Sequence, residues 1–258
     1  MNGVSPFVSA VRAQCARGWQ VLQALLVLLV LAVTPASHAP ARREVMAQQL
    51  MRATWPHCLW FTLLATLLGV VLIRIVVVTA QSYGLSQYAL EMVVRVLVLE
   101  LLPLLAALFV ALRWSLPTAA ELARQSVPRA DDGGADWLAN VALPRALAGV
   151  FAVWLLVAIS CVLGLVLAYV LVYGLTPWGL DAYTHMVGRV FSPVVTLIFT
   201  LKTLAFSVAV GVVPLASLVP QVGLSSATDR RGMEVQGLVR MTGVLLAVEL
   251  ISLVGNYY

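Results

Sequence analysis

The feature that most constrains this chain is a series of apolar stretches, each long enough to cross a bilayer and nearly free of charge. A membrane helix needs about 20 apolar residues to traverse roughly 30 Å of hydrocarbon. Five stretches meet that requirement, at roughly 56–80, 90–112, 146–174, 190–219 and 238–256, with Pro214 interrupting the fourth near its end. Only 10% of the residues are charged and 62% are hydrophobic, whereas a soluble domain carries about 25% charged residues. Water could not solvate such a surface. The fold class expected is therefore an all-α integral membrane protein with five transmembrane helices.

The ends and connections supply a topology. Residues 1–55 form an amino-terminal region holding Arg12, Arg17, Arg42, Arg43 and Arg52. Within it, Val21 to Val33 is apolar but short for a full crossing. It reads as an interfacial or re-entrant helix, with a signal peptide as the alternative. Residues 40–55 mix arginine with Val45, Leu50 and Met51 and suit a membrane surface. Residues 56–258 form the five-span domain. Its long connection, about 113–145, carries Arg113, Arg124, Arg129 and Arg145, and the connection 220–237 carries Arg230 and Arg231. The alternate connections, 81–89 and 175–189, are nearly bare of cations. Basic loops stay in the cytoplasm, so the amino terminus is expected inside and the carboxyl terminus outside.

A net charge of +5 does not imply nucleic acid here, because the arginines are scattered between apolar runs rather than gathered into a patch. Cys15, Cys58 and Cys161 lie far apart, as do His38, His57 and His185, so the spacing suggests neither a disulfide framework nor a metal site. No pairing of nucleophile and base is readable, which argues against an intramembrane enzyme.

The charges that matter are those inside the spans. Glu100, Lys202 and Glu249 fall near the middle of the second, fourth and fifth stretches, and Lys202 is the only lysine in the chain. A charge at a helix centre costs about 2.5–3.5 kcal/mol on insertion scales. The three are expected to face one another or a wet cavity: either an inert ion pair that fixes helix packing, or a polar path or headgroup site. Glu91 and Arg95, four residues apart, can pair on one helix face. Pro103 is expected to kink the second span beside Glu100.

The stretch Leu99-Glu100-Leu101-Leu102-Pro103, followed by Ala111-Leu112-Arg113 and Ala119-Ala120-Glu121, resembles the MlaE (YrbE) permease family. The likeness continues through Asp136 and Pro144-Arg145 to Leu201-Lys202-Thr203 and Val248-Glu249-Leu250. Tyr83 falls in register seventeen residues before Glu100. The resemblance implies the membrane subunit of an ABC transporter that moves phospholipids between the membranes of a bacterial envelope. It implies an amino-terminal elbow helix ahead of the five spans, and a homodimer or heterodimer of permease chains in the inner membrane. Partners would be a cytosolic ATPase, which alone would hold ATP and magnesium, and a periplasmic MCE-domain protein. No cofactor would be bound by this chain. Lipid-binding positions would carry onto Tyr83, Glu100 and Leu101, with Lys202 and Glu249 forming an intramembrane charge network. Coupling to the ATPase would carry onto Arg113, Glu121, Asp136 and Arg145. The sequence departs from the family pattern at Leu99, where the family has arginine, and at Leu102, Leu112, Ser115 and Ala123, where it has glycine. Those departures motivate the alternative of a non-transporting, permease-like scaffold or regulatory subunit.

Overall fold

The computed structural model describes residues 40–124, 138–216 and 230–257, and every element there is helical. The expected interfacial helix at 21–33 lies outside the described residues. Five helical stretches are long and apolar enough to cross a membrane: Met46–Ser82, Tyr88–Leu122, Asn140–Tyr173, Pro193–Leu215 and Gly237–Gly255. These are spans one to five. Each overlaps one of the apolar runs read from the sequence. At spans one, two, three and five the helix extends past the run at one end or both, because helix propensity continues into polar residues where hydropathy stops, whereas the helix of span four starts at Pro193, inside its run.

Span one belongs to α1, Pro40–Ser82, which passes through Pro56 without a break in the helix. It ends in a Schellman turn: Gly84 takes a left-handed φ of 73°, its N–H bonds the Gln81 carbonyl at 3.1 Å, and the Leu85 N–H bonds that of Ala80 at 2.8 Å. Glycine fits because it has no Cβ to clash there. Span two follows as α2 (Ser86–Val93), a π-helical stretch (Val94–Leu101), α3 (Leu102–Val110), a second π stretch (Ala111–Ser115) and α4 (Leu116–Arg124). The connection expected at 113–145 is thus helical as far as Arg124, and helical again from Leu138. A third π stretch, Leu138–Ala142, leads into α5, Leu143–Tyr173, which forms most of span three.

The three π stretches share a cause. Each is followed by an α-helix whose second residue is proline: Pro103, Pro117 and Pro144. Proline lacks the N–H that an α-helix needs, and its ring presses on the carbonyl four residues back. Widening the preceding turn to an i→i−5 pattern relieves that contact; the Leu102 N–H, for example, reaches the Leu97 carbonyl. The kink expected at Pro103 takes this form.

Beyond α5, the short helix α6 (Leu180–Val190) is fixed by Tyr183, whose hydroxyl donates to the Leu165 carbonyl at 2.8 Å. Its ring stacks with Tyr169 and Tyr173, and burial pushes the phenol up to about 12. Spans four and five are α7 (Pro193–Ala216) and α8 (Arg230–Tyr257). Span one packs along span three, three against four, and four against five. Span two is the most enclosed, with 56% of its most apolar window buried against 17% for span five, so its buried face is withdrawn from lipid.

In hydrocarbon, helices associate through close packing of small residues rather than through exclusion of water. Spans three and four follow this rule. A Cβ on Gly211 would lie 2.6 Å from the Ala146 carbonyl oxygen and 2.8 Å from a methyl of Val150, while one on Gly149 would meet the Gly211 Cα at 3.4 Å. The outward faces are apolar instead: Leu59, Leu63, Leu67 and Ile75 on span one and Leu250, Ile251 and Val254 on span five are all more than half exposed. Such faces belong against acyl chains.

Candidate functional site: a charge cluster between spans two, four and five

Glu100 sits in the first π stretch, two residues before the helix returns to α geometry at Leu102. Its carboxylate meets the Lys202 ammonium of span four in an ion pair. On the other side, the same ammonium lies 2.9 Å from the Glu249 carboxylate of span five. The residues are 9%, 3% and 9% exposed. The structure thus brings together the three intramembrane charges that the sequence scattered over 150 positions.

Lys202 has two further partners. Its ammonium reaches the Leu99 carbonyl at 3.4 Å and stands 5.7 Å above the centre of the buried Phe206 ring, within range of a cation–π attraction. The Leu99 contact follows from Pro103. In α geometry the Leu99 carbonyl would accept from residue 103, which has no N–H. The neighbouring Val98 carbonyl would look to Leu102 in α geometry or to residue 103 in π geometry. Leu102 is committed to Leu97, and Val98 accepts instead from the Cys161 thiol of span three at 3.8 Å. One proline thereby exposes two backbone acceptors, and side chains from two other spans occupy them. Buried polar groups left without such partners would cost about 1–3 kcal/mol each.

A void of about 10 Å³ adjoins the cluster, bounded by Leu99, Glu100, Ile198, Phe199, Lys202 and Ser252. That is room for about one water molecule, and no single-chain cavity at the cluster could admit a lipid headgroup. Cys161 and Ser252 carried no recognisable signal in the sequence. Their part here arises from the kink and from the packing of span five.

The remaining expected site residues fall into two places. Tyr83 is the residue just before the Schellman glycine, at the end of span one, and is 76% exposed. Helix from Ser86 onward separates it from Glu100, about 20 Å at 1.5 Å per residue, so the two do not form one contact site within a chain. Leu101 is half-buried beside the cluster. At the opposite end of span two, Arg113, Pro117 and Glu121 are exposed on a common stripe. Arg145 is turned inward: its guanidinium donates to the Val141 carbonyl, and its own carbonyl accepts from the Trp114 indole, each at 3.4 Å. Asp136 lies outside the described residues. Glu91 and Arg95 form their i,i+4 pair at 3.1 Å. Among the described residues, no group of three or more His, Cys, Asp or Glu side chains is arranged to hold a metal ion.

A bundle of five apolar helices, with one cluster of charged side chains enclosed between spans two, four and five, defines a multi-pass membrane protein. A family model described as Permease MlaE matches residues 46–219, well over half of the chain. The chain belongs to the MlaE permease family, whose members are membrane subunits of ABC transporters. No curated protein matches it.

Proposed function

We propose that this permease moves phospholipids across the cell envelope, as one of two permease chains in an inner-membrane complex. ATP is hydrolysed by a cytosolic partner bound along the Arg113–Glu121 stripe, and an MCE-domain partner receives or delivers lipid on the periplasmic side. The observation that carries this reading is the Glu100–Lys202–Glu249 cluster. Charges are retained in hydrocarbon where they serve a polar path or ligand, and Glu100 of this cluster sits on the span that also bears the Pro103 kink. Because the void beside them holds no more than a water, the lipid site lies between two copies rather than inside one. Tyr83 then stands at the rim of that site and Leu101 within it. The arginine-rich connections support an orientation with the amino terminus in the cytoplasm and the carboxyl terminus in the periplasm.

The test is photocrosslinking in native membranes from a reactive group placed at Tyr83 or Leu101. Phospholipid adducts at both, above those at the lipid-facing Leu67, are the expected result. Equal labelling at all three positions would remove the pocket. Co-purification of a stoichiometric ATPase separates the transporter from a permease-like scaffold.

A further inference from the structure

We propose that the turn between spans three and four is a membrane anchor, whose Leu175 and Trp178 insert among the phospholipid headgroups of the leaflet at the carboxyl-terminal end of the bundle. The anchor follows from depth and exposure, whatever cargo the protein moves.

Three spans end at nearly one level there. On span three, a Cβ on Gly164 would meet side chains of Leu102 at 2.9 Å and Val98 at 3.5 Å, which puts Gly164 level with Glu100. Tyr173, the last residue of α5, is nine residues further on and so about 13 Å above it at 1.5 Å per residue. Span four starts at Pro193, nine residues before Lys202 and about the same 13 Å above the charge cluster. Gly255 closes span five six residues past Glu249, about 9 Å above it. From a cluster near mid-membrane, these distances reach the edge of roughly 30 Å of hydrocarbon. Span one brings a cation to the same level. Gly69 lies beside Leu97 and Leu167, and Arg74, five residues further out, is exposed where its guanidinium can reach lipid phosphate.

The turn begins at this level and is built to hold its apolar tips outward. Gly174 reverses the chain with a left-handed φ of 72°, and Pro177–Gly179 form one turn of 3-10 helix. The Thr176 hydroxyl donates to the Tyr173 carbonyl at 2.9 Å, and the Tyr169 hydroxyl donates to the Thr176 carbonyl. Gly179 fits against the Tyr173 ring, where a Cβ would come within 2.7 Å. Held in this way, Leu175 is 88% and Trp178 92% exposed. They continue the exposed apolar stripe of span three, Val162, Val166 and Tyr173, which faces acyl chains. From Asp181 onward the exposed surface of α6 turns polar, with Thr184, His185 and Arg189. Apolar tips beside a water-facing helix, at the depth where the spans end, match the bilayer interface. Tryptophan is enriched there because its ring is apolar and its N–H polar. The anchor also bears on the interior: Val190 of α6 packs with Val94 and Leu99 beside Glu100, so the segment that rides on the bilayer surface walls the charge cluster.

The test places a genetically encoded fluorescent amino acid at position 178, or at 185 as the water-facing control, in the full-length protein in phosphatidylcholine nanodiscs. Quenching is read from a nitroxide carried at the lipid headgroup and from iodide in solution. The lipid nitroxide is expected to quench several-fold more strongly at 178 than at 185, and iodide in the reverse order. Equal quenching at the two positions overturns the proposal. Protection of 178 from both quenchers, as a covering protein surface would give, overturns it as well. In native membranes a photocrosslinker at 178 is expected to take up phospholipid, whereas adducts chiefly to a second copy or to another protein overturn the anchor. Should the variants at 178 fail to fold, the same probes at position 175 carry both measurements.

Discussion

Lys202 is the residue on which the interior of this bundle turns. It answers two carboxyl groups, one orphaned carbonyl and one aromatic face, from three different elements. Removing one partner of a buried ionic set leaves charge uncompensated, which costs about 3–5 kcal/mol, whereas replacing the whole set by neutral groups of similar size is often close to neutral. Lys202→Met is therefore expected to lower the thermal midpoint in nanodiscs sharply, and adding Glu100→Gln and Glu249→Gln to recover most of the loss. A single variant within about 0.5 kcal/mol of wild type, the range of an ordinary surface change, would show that the cluster is not a coupled unit. Recovery of stability without recovery of transport would separate the packing role of these charges from their functional one.

At the scale of elements, two devices shape the helices, and the sequence revealed them unequally. The spans were legible because hydropathy is a property of consecutive residues: a run of about 20 apolar side chains needs no knowledge of its neighbours. Pro103 was legible as a kink, since the defect lies in one residue. That Pro103, Pro117 and Pro144 each take a preceding π stretch was not, and neither were the side chains that fill the acceptors left at Val98 and Leu99, because those depend on which span packs alongside. Glu100, Lys202 and Glu249 could be expected to meet from their cost in hydrocarbon, but only packing assigns Lys202 to both partners. The close approach of Gly211 to Ala146 was equally silent. It gives a paired prediction. Gly211→Ala forces a Cβ to within 2.6 Å of a backbone oxygen and is expected to destabilise by roughly 1–3 kcal/mol, as overpacking does. Gly243→Ala on span five meets nothing within 4 Å and should be neutral or stabilising by up to about 1 kcal/mol through helix propensity. Equal thermal shifts for the two variants would mean that spans three and four do not depend on that contact.

For the whole molecule, the question is how two distant ends communicate. The charge cluster lies on span two at Glu100, and the exposed stripe of Arg113, Pro117 and Glu121 lies on the continuation of the same span. Two π stretches interrupt this span, one holding Glu100 and the other holding Arg113, each just ahead of a proline. A π-to-α change moves every preceding side chain around the helix by about one residue's rotation, 100°, so a push on the stripe can be delivered to Glu100 as a turn rather than as a bend. Span two is also the most enclosed element, which lets a rotation there change contacts with spans three, four and five together. If a cytosolic ATPase drives the permease through this stripe, reversing its charges must break coupling without weakening the bundle. Arg113→Glu and Glu121→Lys are each expected to leave the thermal midpoint within the shift that about 0.5 kcal/mol would cause, since both side chains are exposed. ATP-dependent lipid transfer between nanodiscs should fall about tenfold or more, corresponding to ~1.4 kcal/mol of lost coupling. Transfer at the wild-type rate in both variants, with the ATPase still bound, would place the coupling surface elsewhere on the chain.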